Sequence, residues 1–273
     1  MIDRLKAALY RAFPEFAAAS EAYQATREIR KAVPRPTPFG FTFMGPEAMQ
    51  DGTFEAEETG LLREILQGAD IFVDVGANIG FYTCLARSMG RRVISVEPLS
   101  RNLQFLYANL QANGWNDVEV LPLGLSNRPG QAVLHGSGTS ASLVENWAGS
   151  SNKRRVIPLS TLDTLLGERF AGRKLVVKID VEGVEYDVLQ GASHTLGRRP
   201  SPAWFIETGL GGWSPEGYSS RFGDIFEIFW SSGFDAHIAM KGGKVVTRDD
   251  VTSWLHRQDT DGFSNFIFSK PEH

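Results

Sequence analysis

The stretch IFVDVGANIGFYT, residues 71–83, restricts the fold of this chain more than any other part of it. Ile71, Val73 and Val75 alternate as in a buried strand, and Phe81–Arg87 begins a helical pattern. Between them Gly76, Asn78 and Gly80 make a tight turn. A turn of this kind at the carboxyl end of a strand is where open α/β sheets bind small ligands.

The same alternation recurs along the chain. Helices are expected at 57–66, 81–89, 102–113, 184–189 and 221–231, and strands at 71–75, 92–96, 118–121, 175–179, 203–206, 234–240 and 265–268. Shorter extended pieces fall at 132–135 and 155–159, and Ser160 with Asp163 reads as a capping box for a helix ending at Leu166. Strand and helix in alternation predict right-handed βαβ units and a mainly parallel sheet. Between the last two strands only a hairpin-like loop is expected, which places an antiparallel edge at the carboxyl-terminal end.

Residues 1–32 carry Ile2, Leu5, Leu9, Ala12, Phe13 and Phe16 at helical spacing. The expectation is an amino-terminal helical extension, packed on its own domain or on a second copy of the chain. The prolines of VPRPTPFG (33–40) end it. Residues 1–51 are therefore read as extension and linker, and 52–273 as the main domain. A net charge of −4 gives no reason to expect nucleic acid as partner. The lone Cys84 permits no internal disulfide and suits a reducing compartment. No apolar run approaches the roughly 20 residues of a membrane span, and a cytoplasmic location is expected.

The turn discriminates between ligands. Dinucleotide sites use G-x-G-x-x-G, so that the backbone can approach a pyrophosphate. Here the spacing is Asp74-x-Gly76-x-x-x-Gly80, with Asn78 in the place of the middle glycine and an acid that would repel phosphate. About twenty residues on, the second strand ends at Glu97, where a carboxylate can accept from both ribose hydroxyls. A ligand with an ammonium, a ribose and no phosphate fits this pattern: S-adenosylmethionine.

Five stretches carry a resemblance to a known family: DGTFEAEE (51–58), DVGANIGFYT (74–83), EPLSRNL (97–103), TLD (161–163) and KIDVEGVEYDVLQGA (178–192). They resemble the FkbM-type S-adenosylmethionine-dependent methyltransferases over most of residues 52–268. The resemblance implies a class I methyltransferase (Rossmann-like) fold and methyl transfer to a hydroxyl of a sugar, polyketide or related natural product. The expected cofactor set is Asp74, Gly76, Asn78, Gly80, Glu97, Pro98, Asn102 and Glu182. The alternatives are an NAD(P)-dependent oxidoreductase, against which the glycine spacing argues, and a non-catalytic binding module on the same fold.

Asp180 ends the fourth strand and faces the same crevice as Asp74 and Glu97, which makes it the first candidate for general base. Glu207, ending the fifth strand, is the second, and His237 is the best placed histidine. Asp180 and Glu207 together also have the oxygen chemistry to hold a Mg²⁺ against a substrate diol. Trp147, Trp213 and Tyr218 are candidates for an acceptor pocket.

Overall fold

A computed structural model describes residues 14–136, 138, 141–147, 153–211 and 219–271. Helix α1 (Pro14–Lys31) is followed by a two-stranded hairpin, β1 (Arg35–Pro36) and β2 (Thr42–Phe43), and by α2 (Glu47–Asp51) and α3 (Ala56–Gln67). The alternation then runs β3 (Ile71–Val75), α4 (Phe81–Ser88), β4 (Arg92–Val96), α5 (Ser100–Ala112), β5 (Glu119–Leu121). A three-stranded sheet interrupts it: β6 (Gly124–Leu125), β7 (Gly130–His135) and β8 (Arg154–Ser160), in the order β6–β8–β7. The main sheet resumes through α6 (Leu162–Leu166), β9 (Leu175–Ile179), α7 (Glu185–Gln190), α8 (Ser193–Leu196) and β10 (Ala203–Glu207). It closes with α9 (Phe222–Ser231), β11 (Asp235–Ile238), β12 (Val245–Val246), α10 (Arg248–Arg257) and β13 (Asn265–Ser269).

The eight main strands lie in the order β12–β11–β13–β10–β9–β3–β4–β5. From β5 to β10 all pairings are parallel, and β13, β11 and β12 add antiparallel. The expected mainly parallel sheet with an antiparallel carboxyl-terminal edge is therefore present. The loop expected before the last strand is instead the ten-residue helix α10, capped by reciprocal hydrogen bonds between Thr247 and Asp250. Only Val251 and Trp254 of that helix are buried, too few for a clear apolar period.

Period-two alternation decides which face each strand residue meets. Ile71, Val73 and Val75 join Val96, Val177 and Trp204 in one core beneath α7, α9 and α10. Phe72, Val93, Val176 and Phe205 point the other way, against Leu62, Leu66, Phe81 and Leu85. Each such large side chain contributes about 1.5–3 kcal/mol by leaving water. Cys84 belongs to this second core, as a small apolar filler.

The cap of α6 differs from expectation. Thr161, one residue later than expected, accepts from the Thr164 amide at 3.0 Å. Asp163 turns away and takes the Thr195 and His194 amides at 2.8 and 2.9 Å, so it caps α8.

Residues 35–51 are bound tightly to the sheet unit. Phe41, Phe43 and Met49 share the core of Phe72 and Phe81. Asn109 of α5, fully buried, accepts from the Met44 amide at 2.7 Å and donates to the carbonyls of Met44 and Ile79 at 3.2 and 2.9 Å. One turn on, Asn113 grips Thr42 in the same way, both bonds at 2.7 Å. Two asparagines thus add side-chain partners for the backbone of Thr42 and Met44 beyond the pairing of β2 with β1. Along the same helix Arg101 meets Glu28 of α1 at 2.7 Å. Ile2 to Phe13 lie outside the described residues, as does the side chain of Phe16.

Asn109→Ala strands three backbone groups in a buried setting, each costing about 1–3 kcal/mol. The loss overlaps, so a destabilisation of about 2–4 kcal/mol is expected in urea denaturation. Asn113→Ala, at a partly exposed site, is expected to cost less than half as much. Equal costs would show that burial does not set the scale here.

Candidate active site

The carboxyl ends of β3, β4, β9 and β10 open into a cavity of about 320 Å³. Gly76, Asn78, Glu97 and Pro98 line it at the β3 and β4 ends, and Asp180, Glu182 and Glu207 at the β9 and β10 ends. The small sheet supplies an apolar wall through Leu125, Leu134 and Ile157, and the segment before α3 supplies Met49, Phe54 and Glu55. Sequence elements far apart are brought together by the parallel sheet, whose strand ends all face one way.

The two turns are packed without spare room. Gly76 has φ of 86°, and a Cβ there would sit 1.8 Å from the Asp180 carbonyl oxygen. Glycine is therefore required both by conformation and by the approach of the neighbouring strand end. Gly80, also left-handed, starts α4 and is not on the cavity wall.

Glu97 is held from three sides. Its Oε2 accepts from the Asn78 amide at 2.9 Å, and its Oε1 from the Leu99 amide at 2.8 Å and from Asn102 Nδ2 at 3.3 Å. Burial pushes its carboxyl up to about 7, against the opposing pull of those amides. Asn102 is itself buried, lines the cavity, and its Oδ1 has no hydrogen-bond partner. A ligand donor is the natural completion of that atom.

Asp74 stands elsewhere. It pairs in register with Ser95 on β4 and Lys178 on β9, in a polar row on the face that meets α4. Its Oδ2 accepts from Thr83 Oγ1 at 2.6 Å, and burial holds its carboxyl above the usual range. Because Val73 and Val75 point to the opposite face, Asp74 lies under the turn and off the cavity wall. Contact between its carboxylate and a ligand ammonium does not follow from this placement.

Lys178 is the group that sequence reasoning passed over. It is 2% exposed at the centre of the sheet, and its Nζ donates to Asp180 Oδ2 at 2.8 Å. The ammonium also lies 4.8 Å from the Tyr82 ring centre. Burial alone would lower its affinity for a proton, but the carboxylates of Asp180, Glu207 and Asp74 outweigh that and raise it. A lysine inside an otherwise apolar strand was the available signal. Tyr82 in turn donates to Glu55 Oε2 at 2.5 Å, which fixes that second overlooked acid on the wall.

Glu207 accepts no hydrogen bond from any described residue, and burial followed by the nearby Asp180 charge pushes it up to about 8. Glu182, with φ of 58°, takes the indole N–H of Trp147 at 2.8 Å, and the Trp147 ring lies where a Cβ on Gly183 would be. His237 lies on β11, paired with Ile267 and Val245, and is not among the cavity residues. Trp213 and Tyr218 lie outside the described residues. The Mg²⁺ considered for Asp180 and Glu207 is not supported: no group of three or more His, Cys, Asp or Glu is arranged for a metal among the described residues, and Asp180 holds the Lys178 ammonium.

The profile of the Methyltransferase FkbM domain matches residues 74–236. The hexuronic acid methyltransferase AglP of Haloferax volcanii is 32% identical over 139 residues, which is 50% of this chain and 55% of AglP. The chain thus spans about half the length of that curated relative. Among solved structures, precorrin-6y C5,15-methyltransferase from Geobacter metallireducens superposes with a TM-score of 0.44 at 11% identity, covering 84% of this chain and 95% of that one. Magnesium protoporphyrin IX methyltransferase from Synechocystis PCC 6803 gives 0.41 at 11%, covering 83% and 86%. Both scores are below 0.5, and neither bears on what this chain acts on.

The raised carboxyl of Glu97 makes stability depend on pH. Its folded value of about 7 lies above the ordinary 4.5, so its contribution is fully present below about 4.5 and is lost as pH rises through about 7. Glu97→Gln lacks that loss. Relative to wild type, the ligand-free variant should gain on the order of 1–3 kcal/mol between pH 5 and pH 8. Urea denaturation of both proteins at the two pH values measures it, and parallel pH profiles would refute it.

Proposed function

This chain belongs to the FkbM methyltransferases, and we propose that it transfers a methyl group from S-adenosylmethionine to a hydroxyl of a sugar or sugar-like acceptor. The observation that carries the cofactor is the Glu97 carboxylate, pre-held by two backbone amides beside the unpartnered Asn102 Oδ1. A carboxylate so placed has lone pairs left for a vicinal diol, and Asn102 is an acceptor waiting for a donor. Gly76 and Asn78 keep the backbone low enough for a ligand to lie across the turn, and Pro98 borders the same wall. These residues fit a nucleoside with a free ribose, and the oxidoreductase alternative is not favoured. The matched relative takes a hexuronic acid by its name, which supports a carbohydrate acceptor here.

When bound, S-adenosylmethionine supplies an electrophilic methyl carbon. The chain must then orient one hydroxyl and remove its proton, because a neutral alcohol is a weak nucleophile. Two carboxylates border the cavity at that end, in different states. Asp180 is tied to Lys178 and keeps a fixed position, suited to orienting the hydroxyl by accepting its hydrogen bond. Glu207 has no such tie and is pushed up to about 8, close to the pH at which a general base is both available and strong. In this reading Asp180 aligns the acceptor and Glu207 receives the proton as the oxygen takes the methyl group.

Three variants test this reading. Glu97→Ala should weaken S-adenosylmethionine binding about ten- to a hundredfold by calorimetry, since hydrogen bonds to charged groups contribute about 1.5–3 kcal/mol. Glu207→Gln should lower the rate by roughly a hundred- to ten-thousandfold and abolish its rise towards pH 8, with cofactor affinity kept. Asp180→Asn should lower the rate and leave that rise in place. A rise that survives in Glu207→Gln and vanishes in Asp180→Asn would exchange the two roles.

A further inference from the structure

The cavity wall carries five carboxylates and no cationic side chain among the described residues. Glu55 borders it on one side, Glu97 at the end of β4, and Asp180, Glu182 and Glu207 at the ends of β9 and β10. The buried Lys178 is not on the wall, and its ammonium is bound to Asp180 at 2.8 Å. Burial raises the carboxyls of Glu55, Glu182 and Glu207, which shows how little negative charge this space tolerates before any ligand arrives. Among the described residues, no positive side chain on this wall is available to meet an acidic acceptor.

That the cavity receives a ligand rests on separate observations: the Glu97 carboxylate held on its wall by two backbone amides, and beside it the wall residue Asn102, whose buried Oδ1 has no hydrogen-bond partner. A cationic cofactor offsets part of the wall's charge at one end. An acceptor carboxylate would still enter a partly dehydrated space without a counter-ion, where an unpaired charge is costly. An amine or a neutral hydroxymethyl group meets the opposite situation, since Glu207 and Glu55 present acceptor oxygens.

We infer that this enzyme takes a neutral or amine-bearing sugar and discriminates against acidic sugars such as hexuronates. The inference rests on the sugar reading above and narrows it by charge. The carbohydrate chemistry of the matched relative therefore does not extend to its acidic group.

The test compares three glycosides of one ring configuration: a hexuronate, its hexuronamide of nearly the same shape, and the 2-amino-2-deoxyhexoside. Their affinities for the full chain saturated with S-adenosylhomocysteine are measured by calorimetry, and transfer is followed with labelled S-adenosylmethionine. The amide and the amino sugar should each bind at least about tenfold more tightly than the uronate, and initial rates at low acceptor should follow the same order. Glu55→Gln should narrow the amide-to-uronate ratio, a comparison internal to each protein and so indifferent to its stability. Uronate binding equal to or tighter than the amide overturns the charge inference and leaves the sugar reading intact. Failure of all three to bind overturns the sugar reading, and the inference with it.

Discussion

A single buried ammonium organises the centre of this protein. Lys178 sits in the middle of a parallel sheet, where every neighbouring strand residue on the other parity is apolar. Its cost of burial is met by Asp180 one residue past the end of its own strand, Asp74 on the next, and the face of Tyr82 from the covering helix. Breaking one side of such an arrangement leaves an unpaired charge in the interior, at about 3–5 kcal/mol. The carboxyl end of β9, on the cavity wall, is thereby tied to the core of the sheet. The Asp180 amide adds a bond of 3.0 Å to the Val75 carbonyl, and Gly76 closes against the Asp180 carbonyl. Site geometry and sheet integrity are one network here.

Strand parity explains how much of the site could be read from the sequence. Asp74 and Glu97 both flank the glycine turn, and as letters they look equivalent. Asp74 lies within β3, so alternation with Val73 and Val75 turns it to the helix layer. Glu97 lies one residue past β4, outside the pleat, and is free to face the cavity. The same rule applied to LVVKI places Lys178 beside Asp74, a pairing that needs strand register as well as composition. The sheet, its polarity and the acids at strand ends were legible because long apolar periods carry them. The helix α10 was not, because its sequence RDDVTSWLHR buries little and its signal lies in the Thr247–Asp250 cap. The partners of Glu97 were equally hidden, since two of the three are backbone amides.

The amino-terminal segment belongs to the site through hydrogen bonds that no motif announces. Asn109 of α5 and Asn113 at its carboxyl-terminal cap bind the backbone of Met44 and Thr42, and the chain then runs into Met49, Phe54 and Glu55 on the cavity wall. Glu55 is locked in turn by Tyr82, which also covers Lys178. The position of this wall is therefore set by the same helix layer that buries the central ammonium.

The opposite wall is built differently. Leu134 and Ile157 stand on the small β6–β8–β7 sheet; among the described residues their cluster adds Leu99 as a buried residue and Ala141, Leu143 and Leu159 as partly buried ones, while Leu125 of β6 packs into the main core. A unit with so little buried apolar area opens at a free energy well below that of the whole domain. One side of the cavity is thus packed into the main cores of the fold, and local opening of the other would leave the main sheet standing. Exchange of cofactor and product through that side would draw on the weak local stability of three strands, and its rate would be tuned by Leu134 and Ile157 independently of the chemistry at the strand ends.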